Sequence, residues 1–242
     1  MKSFNFYEDA NYADAYSRLE FPGTYYLAYR DLPEIIARHV MGTRAVDFGC
    51  GAGRSSRFLR KLGFDVVGVD VSEEMIRKAR SLDPDGDYRL IGDGDFSELS
   101  PESWDLVLSA FTFDNVPTTN GKVRLLTGIA RLLNAAGKFV NLVSSPEIYT
   151  HEWASFSTKD YPENRFVKSG GEVRILNTAI ADARPVTDIM VTEESYREMY
   201  AAAGLEVVSL SKPLGKTDEP FPWVNETSIA PWTIYVLQAI NS

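Results

Sequence analysis

Three glycines at alternate positions, Gly49, Gly51 and Gly53, stand between an apolar run and a basic amphipathic stretch. This order predicts a buried strand, a tight turn and then a helix. Glycines spaced in this way let the backbone turn sharply and present bare N–H groups to a ligand. Asp47 lies two residues before the first glycine and adds a carboxylate to the loop. The stretch therefore predicts a site for a nucleotide-like ligand.

Two kinds of nucleotide-binding loop have closely spaced glycines, and they differ in the position of the third glycine. A dinucleotide fingerprint counted from Gly49 needs a glycine at position 54, where this chain has Arg54. The carboxylate of Asp47 would disfavour a bound pyrophosphate and favour a ligand that carries an ammonium group. The loop therefore points away from NAD.

The order acidic-x-Gly-x-Gly-x-Gly, formed by Asp47 and the three glycines, resembles the first motif of the class I S-adenosylmethionine-dependent methyltransferases. The resemblance covers residues 45–143 with specific motifs, and the order of elements from residue 192 onward more loosely. It implies that the glycine loop passes under the methionine part of S-adenosylmethionine and that Asp47 belongs to the network around its amino group.

Asp70 ends a short β-branched run, and Val71 follows it. An aspartate at the end of such a strand can accept hydrogen bonds from both hydroxyls of a ribose. The alternative is that Asp70 caps the next helix, although Ser72 is available for that role. We expect Asp70 and Val71 to contact the cofactor.

Residues after the third and fourth strands are expected to complete the cofactor site. In the resembled family an aspartate after the third strand binds the adenine amine, which implies Asp93 with Gly94 here, and Asp95 in an ordinary acidic turn is the alternative. Ser109 ends the fourth strand and Phe111 follows it. In an open parallel sheet, ligands bind beyond the carboxyl ends of the strands, where these two residues lie.

Candidate acceptor contacts come from three segments of the chain. Tyr16, Tyr25 and Tyr26 belong to an aromatic N-terminal segment that, by the resemblance, folds over the cofactor and helps form the substrate mouth. Asp114 either faces the acceptor or caps the next helix, and Trp153 lies in the region expected to choose the acceptor. The alternative for each tyrosine is ordinary packing.

His151 is the candidate general base. It is the only one of the two histidines in the region 145–190, and Glu147 and Glu152 are close to it in sequence. The alternative is a structural histidine that makes a hydrogen bond among aromatic residues.

Alternating strand and helix patterns predict an α/β fold, a doubly wound and mostly parallel seven-stranded sheet with an antiparallel C-terminal edge strand. The alternation breaks at residues 145–190, where two strand-like runs predict a small antiparallel insertion over the acceptor site. Residues 30–40 predict a helix within an N-terminal helical lid segment, residues 1–40. We expect one methyltransferase domain over residues 1–242. After the glycine loop, we expect parallel strands over residues 66–70, 88–91, 104–109 and 138–143.

Composition narrows the class of partner. The 242 residues include 25 basic and 34 acidic side chains, a formal net charge of −9, which disfavours a sequence-independent grip on nucleic acid. The single cysteine, Cys50, and the lack of a basic-then-apolar leader favour the cytoplasm. No apolar window approaches the roughly 18 residues of a membrane span. We expect no metal site, and a monomer or a homodimer.

Together these patterns predict a methyltransferase that uses S-adenosylmethionine, releases S-adenosylhomocysteine and acts on nitrogen or oxygen of a small-molecule acceptor. The aromatic loops favour a ring-containing acceptor. The alternatives are an NAD-dependent oxidoreductase and a non-catalytic protein that binds S-adenosylmethionine.

Overall fold

The structure is a computed structural model that describes residues 21, 23–180 and 184–240. Its strands are, in chain order, β1 (Arg44–Phe48), β2 (Asp65–Asp70), β3 (Asp87–Leu90), β4 (Trp104–Ala110), β5 (Leu133–Ser144), β6 (Phe156–Ser157), β7 (Glu172–Asn177), β8 (Pro185–Ile189), β9 (Leu205–Ser211) and β10 (Trp232–Ala239). Its α-helices are α1 (Thr24–Arg30), α2 (Leu32–His39), α3 (Arg54–Lys61), α4 (Glu73–Leu82), α5 (Thr119–Leu132) and α6 (Glu193–Ala202).

Seven of these strands form one sheet in the order β3-β2-β1-β4-β5-β10-β9. The first five are parallel to one another, and β10 is antiparallel to both of its neighbours. The predicted fold class is confirmed, with the antiparallel pairing at the C-terminal end of the sheet. Almost all of β10 is buried whereas β9 is largely half-exposed, which explains why β10 lies inside and β9 takes the edge.

Side chains that alternate along the strands divide the core between the two faces of this sheet. Leu106 and Leu108 pack with α1, α2 and the 145–190 insertion, while Val107 between them packs with α5 and α6. The helices on both faces give the doubly wound arrangement. Among the described residues, no helix is long and apolar enough to cross a membrane.

Hydroxyl side chains begin three of the helices. Ser72, Thr118 and Thr192 each accept a hydrogen bond from the backbone N–H three residues later, at 3.3, 3.0 and 3.3 Å. Such caps satisfy N–H groups that have no partner within the helix. Ser72 therefore takes the capping role at α4 that was the alternative for Asp70.

The predicted helix over residues 30–40 is two helices, α1 and α2, which meet at Asp31. Pro33 lies in the first turn of α2. Because proline has no backbone N–H, it cannot donate the hydrogen bond that would continue α1, whereas it fits the start of a new helix.

The region 145–190 forms the predicted antiparallel insertion. Strands β6, β7 and β8 pair antiparallel as a separate sheet. Two short 3-10 turns accompany it, Pro146–Tyr149 and Pro162–Phe166.

A buried carboxylate, Glu226, joins three distant parts of the chain. It accepts hydrogen bonds from Thr24 Oγ1 in α1 (2.7 Å), from the Ala154 N–H in the insertion (2.7 Å) and from the N–H groups of Val224 and Asn225 (2.8 and 3.1 Å). Four donors compensate the burial of the carboxylate. Glu226 thus holds α1, the insertion and the loop before β10 together.

Candidate functional site

The glycine loop connects β1 to α3 at the carboxyl end of the parallel strands. Gly49, Gly51 and Gly53 all have positive φ, at 73°, 53° and 82°. A Cβ at Gly49 would collide with Thr112, and one at Gly53 would collide with Tyr88. At Gly51, by contrast, no atom lies within 4 Å of that position. The loop is therefore packed at its two ends and open in the middle, at Gly51.

Asp47 lies fully buried below this loop. Its Oδ2 accepts hydrogen bonds from Ser55 Oγ (2.7 Å) and Ser56 Oγ (2.5 Å), whereas its Oδ1 is buried with no hydrogen-bond partner among the described residues. Burial raises the pKa of Asp47 to about 6, and the serine hydrogen bonds oppose that rise. A buried acceptor without a partner is costly, so a ligand donor at this oxygen would be favourable.

Asp70 ends β2 beside the open part of the loop. Its Oδ2 accepts from the Gly51 N–H and its Oδ1 from the Ser72 N–H, both at 2.8 Å. An ionised carboxylate offers about four lone-pair positions, so it can accept a further donor beside these backbone N–H groups. Burial raises the pKa of Asp70, and the backbone hydrogen bonds oppose the rise. Val71 is 50% exposed and presents an apolar surface next to this carboxylate.

The predicted adenine contacts lie in an exposed loop after β3. Asp93 makes an ion pair with Arg124 at 2.6 Å, and its side chain is 73% exposed. Asp95 accepts from the Ser97 N–H at 2.9 Å, which is the turn role given to it as the alternative. Gly94 has a φ of 72° in this loop.

Ser109 and Phe111 lie at the carboxyl end of β4, next to β1. Ser109 Oγ is buried and has no hydrogen-bond partner within the described part of the chain. Phe111 has a positive φ of 64°, and its ring lies against Tyr25 and Trp232, with centroids 5.7 and 4.7 Å away. This strained residue turns the chain into the short 3-10 turn Thr112–Asn115.

A cavity of about 40 Å³ lies between this turn, α1 and the insertion. Of the predicted acceptor contacts, Tyr25 and Asp114 line it. Tyr26 packs against Phe221 instead, with centroids 4.8 Å apart, and Trp153 is buried with its Nε1 donating to the Ile148 carbonyl. Tyr16 falls outside the described residues. The other lining residues are Phe111, Asn115, Ser144, Ile148, Tyr149, Phe156, Ile175, Val186, Asp188 and Trp232.

His151, the predicted base, lies in a partly exposed turn of the insertion. Its Nδ1 is 3.0 Å from Thr150 Oγ1 and 3.1 Å from the Glu147 carbonyl oxygen. It is not among the residues that line the cavity. These contacts match the structural alternative, and the catalytic role stays a prediction.

The cavity and the glycine loop adjoin through one turn. Thr112 Oγ1 donates to the Phe48 carbonyl oxygen at 3.0 Å and packs on Gly49, while Asp114, two residues later, lines the cavity. A ligand over Gly51 and a second ligand in the cavity would therefore be neighbours. Among the described residues, no three His, Cys, Asp or Glu side chains are grouped as a metal site.

Comparison with known proteins agrees with this geometry. Residues 46–141 match the family model described as a methyltransferase domain. Over these residues the chain matches a methyltransferase domain, and solved S-adenosylmethionine-dependent methyltransferases share its fold.

Relatives of this chain differ in their named acceptors. It is 34% identical over 103 residues to a ubiquinone biosynthesis O-methyltransferase of Burkholderia vietnamiensis, covering 41% of this chain and 43% of that protein. It is 30% identical over 182 residues to a cypemycin N-terminal methyltransferase of a Streptomyces species, covering 74% of this chain and 64% of that protein. The chain spans about half the length of the curated relatives it matches.

Solved structures share the fold of this chain over nearly its whole length. The CcbJ methyltransferase from Streptomyces caelestis has a TM-score of 0.66 and 19% identity, and the match covers 95% of this chain and 96% of that one. An S-adenosylmethionine-dependent methyltransferase from Mesorhizobium loti has a TM-score of 0.62 and 21% identity, with 87% and 97% covered.

Two acidic side chains in the wall of the cavity have strongly displaced pKa values. Burial raises the pKa of Asp114 to about 6 and that of Asp188 to about 8. Hydrogen bonds from the Ser144 N–H to Asp114 (3.1 Å) and from Tyr149 Oη to Asp188 Oδ2 (3.1 Å) oppose these rises. Burial lowers the pKa of nearby Lys122 to about 8, against the attraction of both carboxylates.

Asp188 and Lys122 were missed by the sequence analysis, although each carries a signal. Asp188 shares an alternating face of β8 with Val186, where an inward-facing acid interrupts an apolar pattern. Lys122 lies three and four residues before Leu125 and Leu126, on the buried face of α5. A charged residue at a core-facing position of either pattern indicates a functional role.

A larger depression of about 580 Å³ lies elsewhere, between the loop after β3 and α5. Of the predicted site residues only Gly94 lines it, and Arg124 and Arg131 form its basic side. It contains no residue of the glycine loop and none of the buried acids. We therefore locate the candidate site at the glycine loop and the smaller cavity.

Proposed function

We propose that the protein transfers a methyl group from S-adenosylmethionine to a small molecule bound in the 40 Å³ cavity. The observation that carries the proposal is the open middle of the glycine loop at Gly51, beside Asp70, which the turn Thr112–Asn115 links to the wall of that cavity. A loop closed at both ends and empty above its central glycine fits a ligand that lies across the backbone.

The residues around the loop fit the parts of S-adenosylmethionine. Asp47 Oδ1 would receive a donor from the amino-group network, and the remaining acceptor capacity of Asp70 suits the ribose hydroxyls. Val71 offers an apolar face to the adenine. Asp93 would exchange its exposed ion pair with Arg124 for the adenine amine, at little cost because exposed pairs contribute little stability.

Bound S-adenosylmethionine supplies an electrophilic methyl group, so the protein mainly has to align the acceptor and exclude water. Phe111, Tyr25 and Trp232 form an aromatic wall with centroid separations of 4.7 to 5.8 Å. This wall orients an acceptor and keeps water out of the reacting region. Ser109 Oγ, buried near the end of β4 without a hydrogen-bond partner among the described residues, would be a further hydrogen-bonding group for the cofactor.

The size of the cavity supports a small acceptor. About 10–15 Å³ is needed to hold one water molecule, so about 40 Å³ holds one functional group with a few neighbouring atoms. The rest of the acceptor, ring-containing in our proposal, would lie at the mouth. The insertion 145–190 and residues 1–40 would cover this acceptor within a single domain, residues 1–242. A cytoplasmic location, a monomer or homodimer and the absence of nucleic-acid binding stay predictions.

Isothermal titration with S-adenosylmethionine and S-adenosylhomocysteine tests the cofactor. We expect both to bind and Asp70→Ala to weaken binding at least about tenfold, because about 1.5–3 kcal/mol is typical for hydrogen bonds to a charged group. Asp87→Ala is the matched control, since Asp87 is an exposed acid in the neighbouring strand β3, ion-paired with Arg89.

NAD serves as the competing ligand. Preferential binding of NAD, or no binding of either sulfur nucleotide, would contradict the proposal. A non-catalytic protein would bind the cofactor and release no S-adenosylhomocysteine with any acceptor, which turnover measurements on small ring-containing amines and alcohols would detect.

A further inference from the structure

Two buried carboxylates from separate elements meet in the wall of the acceptor cavity. Asp114 belongs to the turn after β4 and Asp188 to β8 of the insertion, and both line the cavity. Their residues are only 4% and 9% exposed. The nearby cation Lys122, 1% exposed, donates to the carbonyl oxygen of Phe113 rather than to either carboxylate.

Hydrogen-bonding groups around this pair are incompletely used. Asp188 accepts one hydrogen bond, from Tyr149 Oη to Oδ2, and its Oδ1 has none among the described residues. Tyr196 Oη is buried beside both acids, close enough to Asp114 to lower its pKa, but it makes no hydrogen bond of normal geometry in the described part of the chain. Asp188 Oδ1 is an open acceptor, so a ligand in the cavity can donate a hydrogen bond to it.

The ionisable side chains at this site would carry a net negative charge if all of them were ionised. Two ionised carboxylates and one ammonium leave a net negative charge in a buried region, where an uncompensated charge is strongly unfavourable. Either a proton or a cation from outside must restore the balance. A neutral alcohol does not supply this charge, and an acidic acceptor would add to the repulsion.

We propose that the acceptor is a protonated amine, that the Asp114–Asp188 pair holds its ammonium group in the cavity, and that Asp188 takes the proton that must leave before methylation. This inference rests on the proposed function and names the substrate class of that same site.

The proton and electron balance of the step is complete. The ammonium N–H bond breaks, its proton moves to a carboxylate oxygen of Asp188 and its electron pair stays on nitrogen. That pair forms the new nitrogen–carbon bond while the carbon–sulfur bond of the methyl donor breaks, and sulfur keeps the electrons of that bond. The methylated nitrogen then carries the positive charge that sulfur has lost.

The titration of Asp188 agrees with this role. Burial and the neighbouring Asp114 raise the pKa of Asp188 to about 8, within reach of an amine proton near neutral pH. The groups that face Asp188 come from every neighbouring element: Asp114 after β4, Lys122 of α5, Tyr149 of the Pro146–Tyr149 turn, and Tyr196 of α6.

Calorimetric titration of the protein with benzylamine, and with benzyl alcohol as its neutral counterpart, tests the inference at pH 7 with S-adenosylhomocysteine present. We expect benzylamine, which is charged at this pH, to bind at least about tenfold more tightly than the alcohol. Titrations in buffers of different ionisation enthalpy should show about one proton released with the cation, because Asp188 gives up its own proton on pairing. The alcohol should release none.

Asp188→Asn should remove both the preference for benzylamine and the proton release while keeping the shape of the side chain. Tyr149→Phe should keep part of both, since it removes only the hydrogen bond to Asp188 Oδ2. Asp160→Asn, an exposed acid in the same insertion, is the matched control and should behave like the parent protein. Circular dichroism confirms that each variant is folded.

Equal binding of the two probes, no binding of benzylamine, or a preference that survives in Asp188→Asn would each overturn the inference. Titration of the same samples with S-adenosylhomocysteine separates this failure from failure of the proposed function. If the nucleotide binds and benzylamine does not, only the amine inference fails. If the nucleotide does not bind, the proposed function fails, and benzylamine titrated without it still tests the acid pair.

Discussion

The glycine loop and the acceptor cavity are neighbours that are built in different ways. At the loop, Asp47 is held by Ser55 and Ser56, which are eight and nine residues away, and the N–H of Gly51 reaches Asp70 over 19 residues. At the cavity, Tyr149 reaches Asp188 over 39 residues, and Trp232 Nε1 donates to the carbonyl of a residue 208 positions earlier. The hydrogen bonds of the loop side thus join residues that are close in sequence, whereas those of the cavity side depend on the complete fold.

The acids of the two regions also differ in the partners that surround them. Asp70 accepts backbone N–H groups on both oxygens, so its position is fixed by the main chain. Asp188 has a single side-chain partner, in a region that also holds a second buried acid. The loop side is therefore rigid and suits a ligand of defined shape, whereas the cavity side suits a positively charged ligand.

The largest expected effect comes from Gly51→Ala, compared with Gly63→Ala. Both glycines have positive φ and open space at the Cβ position, so each substitution should lower the free energy of unfolding by about 1 kcal/mol. Only Gly51→Ala places a methyl group in the proposed cofactor space, and we expect it to weaken S-adenosylhomocysteine binding about a hundredfold, or about 2.8 kcal/mol. Equal affinities of the two variants, measured by calorimetry, would locate the cofactor elsewhere.

Lys122→Met should affect stability and leave the cofactor side intact. Lys122 is buried and donates to the Phe113 carbonyl, which also accepts from the Val116 N–H, so the loss of Lys122 removes a hydrogen bond from a charged donor and costs about 1–3 kcal/mol of unfolding free energy. Lys138→Met is the matched control, because Lys138 donates to the exposed Ala136 carbonyl. Denaturant titration measures both variants. A Lys122→Met protein as stable as the control, or one that binds S-adenosylhomocysteine more weakly, would contradict the expected separation.

The two regions should also respond to pH in different ranges. Asp47 and Asp188 have folded pKa values of about 6 and about 8, both above the ordinary value of 3.8. Between the ordinary and the folded pKa, the folded chain keeps a proton that the unfolded chain has released. The free energy of unfolding therefore falls as pH rises through that range.

We expect Asp47→Asn to flatten this fall only up to about pH 6, a range shared with Asp114, and Asp188→Asn to flatten it up to about pH 8. Above about pH 8 the lowered pKa of Lys122 acts in the opposite direction, since the folded chain then binds fewer protons. Urea titrations at several pH values measure the slopes. Identical slopes for both variants between about pH 6 and 8 would rule out a high Asp188 pKa.

The smallest expected effect is that of His151→Gln. A general base contributes about 10²–10⁴-fold to a rate, so loss of a catalytic His151 would be large. Because its ring lies outside the residues that line the cavity, we expect turnover to change less than about twofold. Initial rates of S-adenosylhomocysteine release measure this turnover, and a hundredfold lower rate in His151→Gln would support His151 as the general base.

The sequence predicts the loop side well because its signals are local. Gly49, Gly51 and Gly53 need positive φ, and that need is visible as spacing in the chain. Strand ends and caps, such as Asp70 and Ser72, follow from short apolar and hydroxyl patterns. These features require no knowledge of distant contacts.

The cavity side is predicted only in part, because its residues are brought together by tertiary packing. Tyr25 was expected to contact a ligand and does line the cavity, but Tyr26, its neighbour, turns toward Phe221. Asp188 could be noticed as an acid on an apolar strand face, but its pairing with Asp114 requires the register of the insertion over the sheet. The break between α1 and α2 was not predicted, although Pro33 favours the start of a new helix.

The hydrogen bonds that Glu226 accepts from α1 and from the insertion can form only late in the synthesis of the chain. The chain emerges from the ribosome N-terminus first, so Thr24 and Ala154 are made long before Glu226 and Trp232, the residues that hold them. The residues that hydrogen-bond to Asp47 and Asp70 have been made by residue 72, and Tyr88 and Thr112, which pack on Gly53 and Gly49, have been made by residue 112. On the ribosome the nascent chain can therefore acquire a cofactor platform early, while the acceptor chamber closes only after residue 232 has been added.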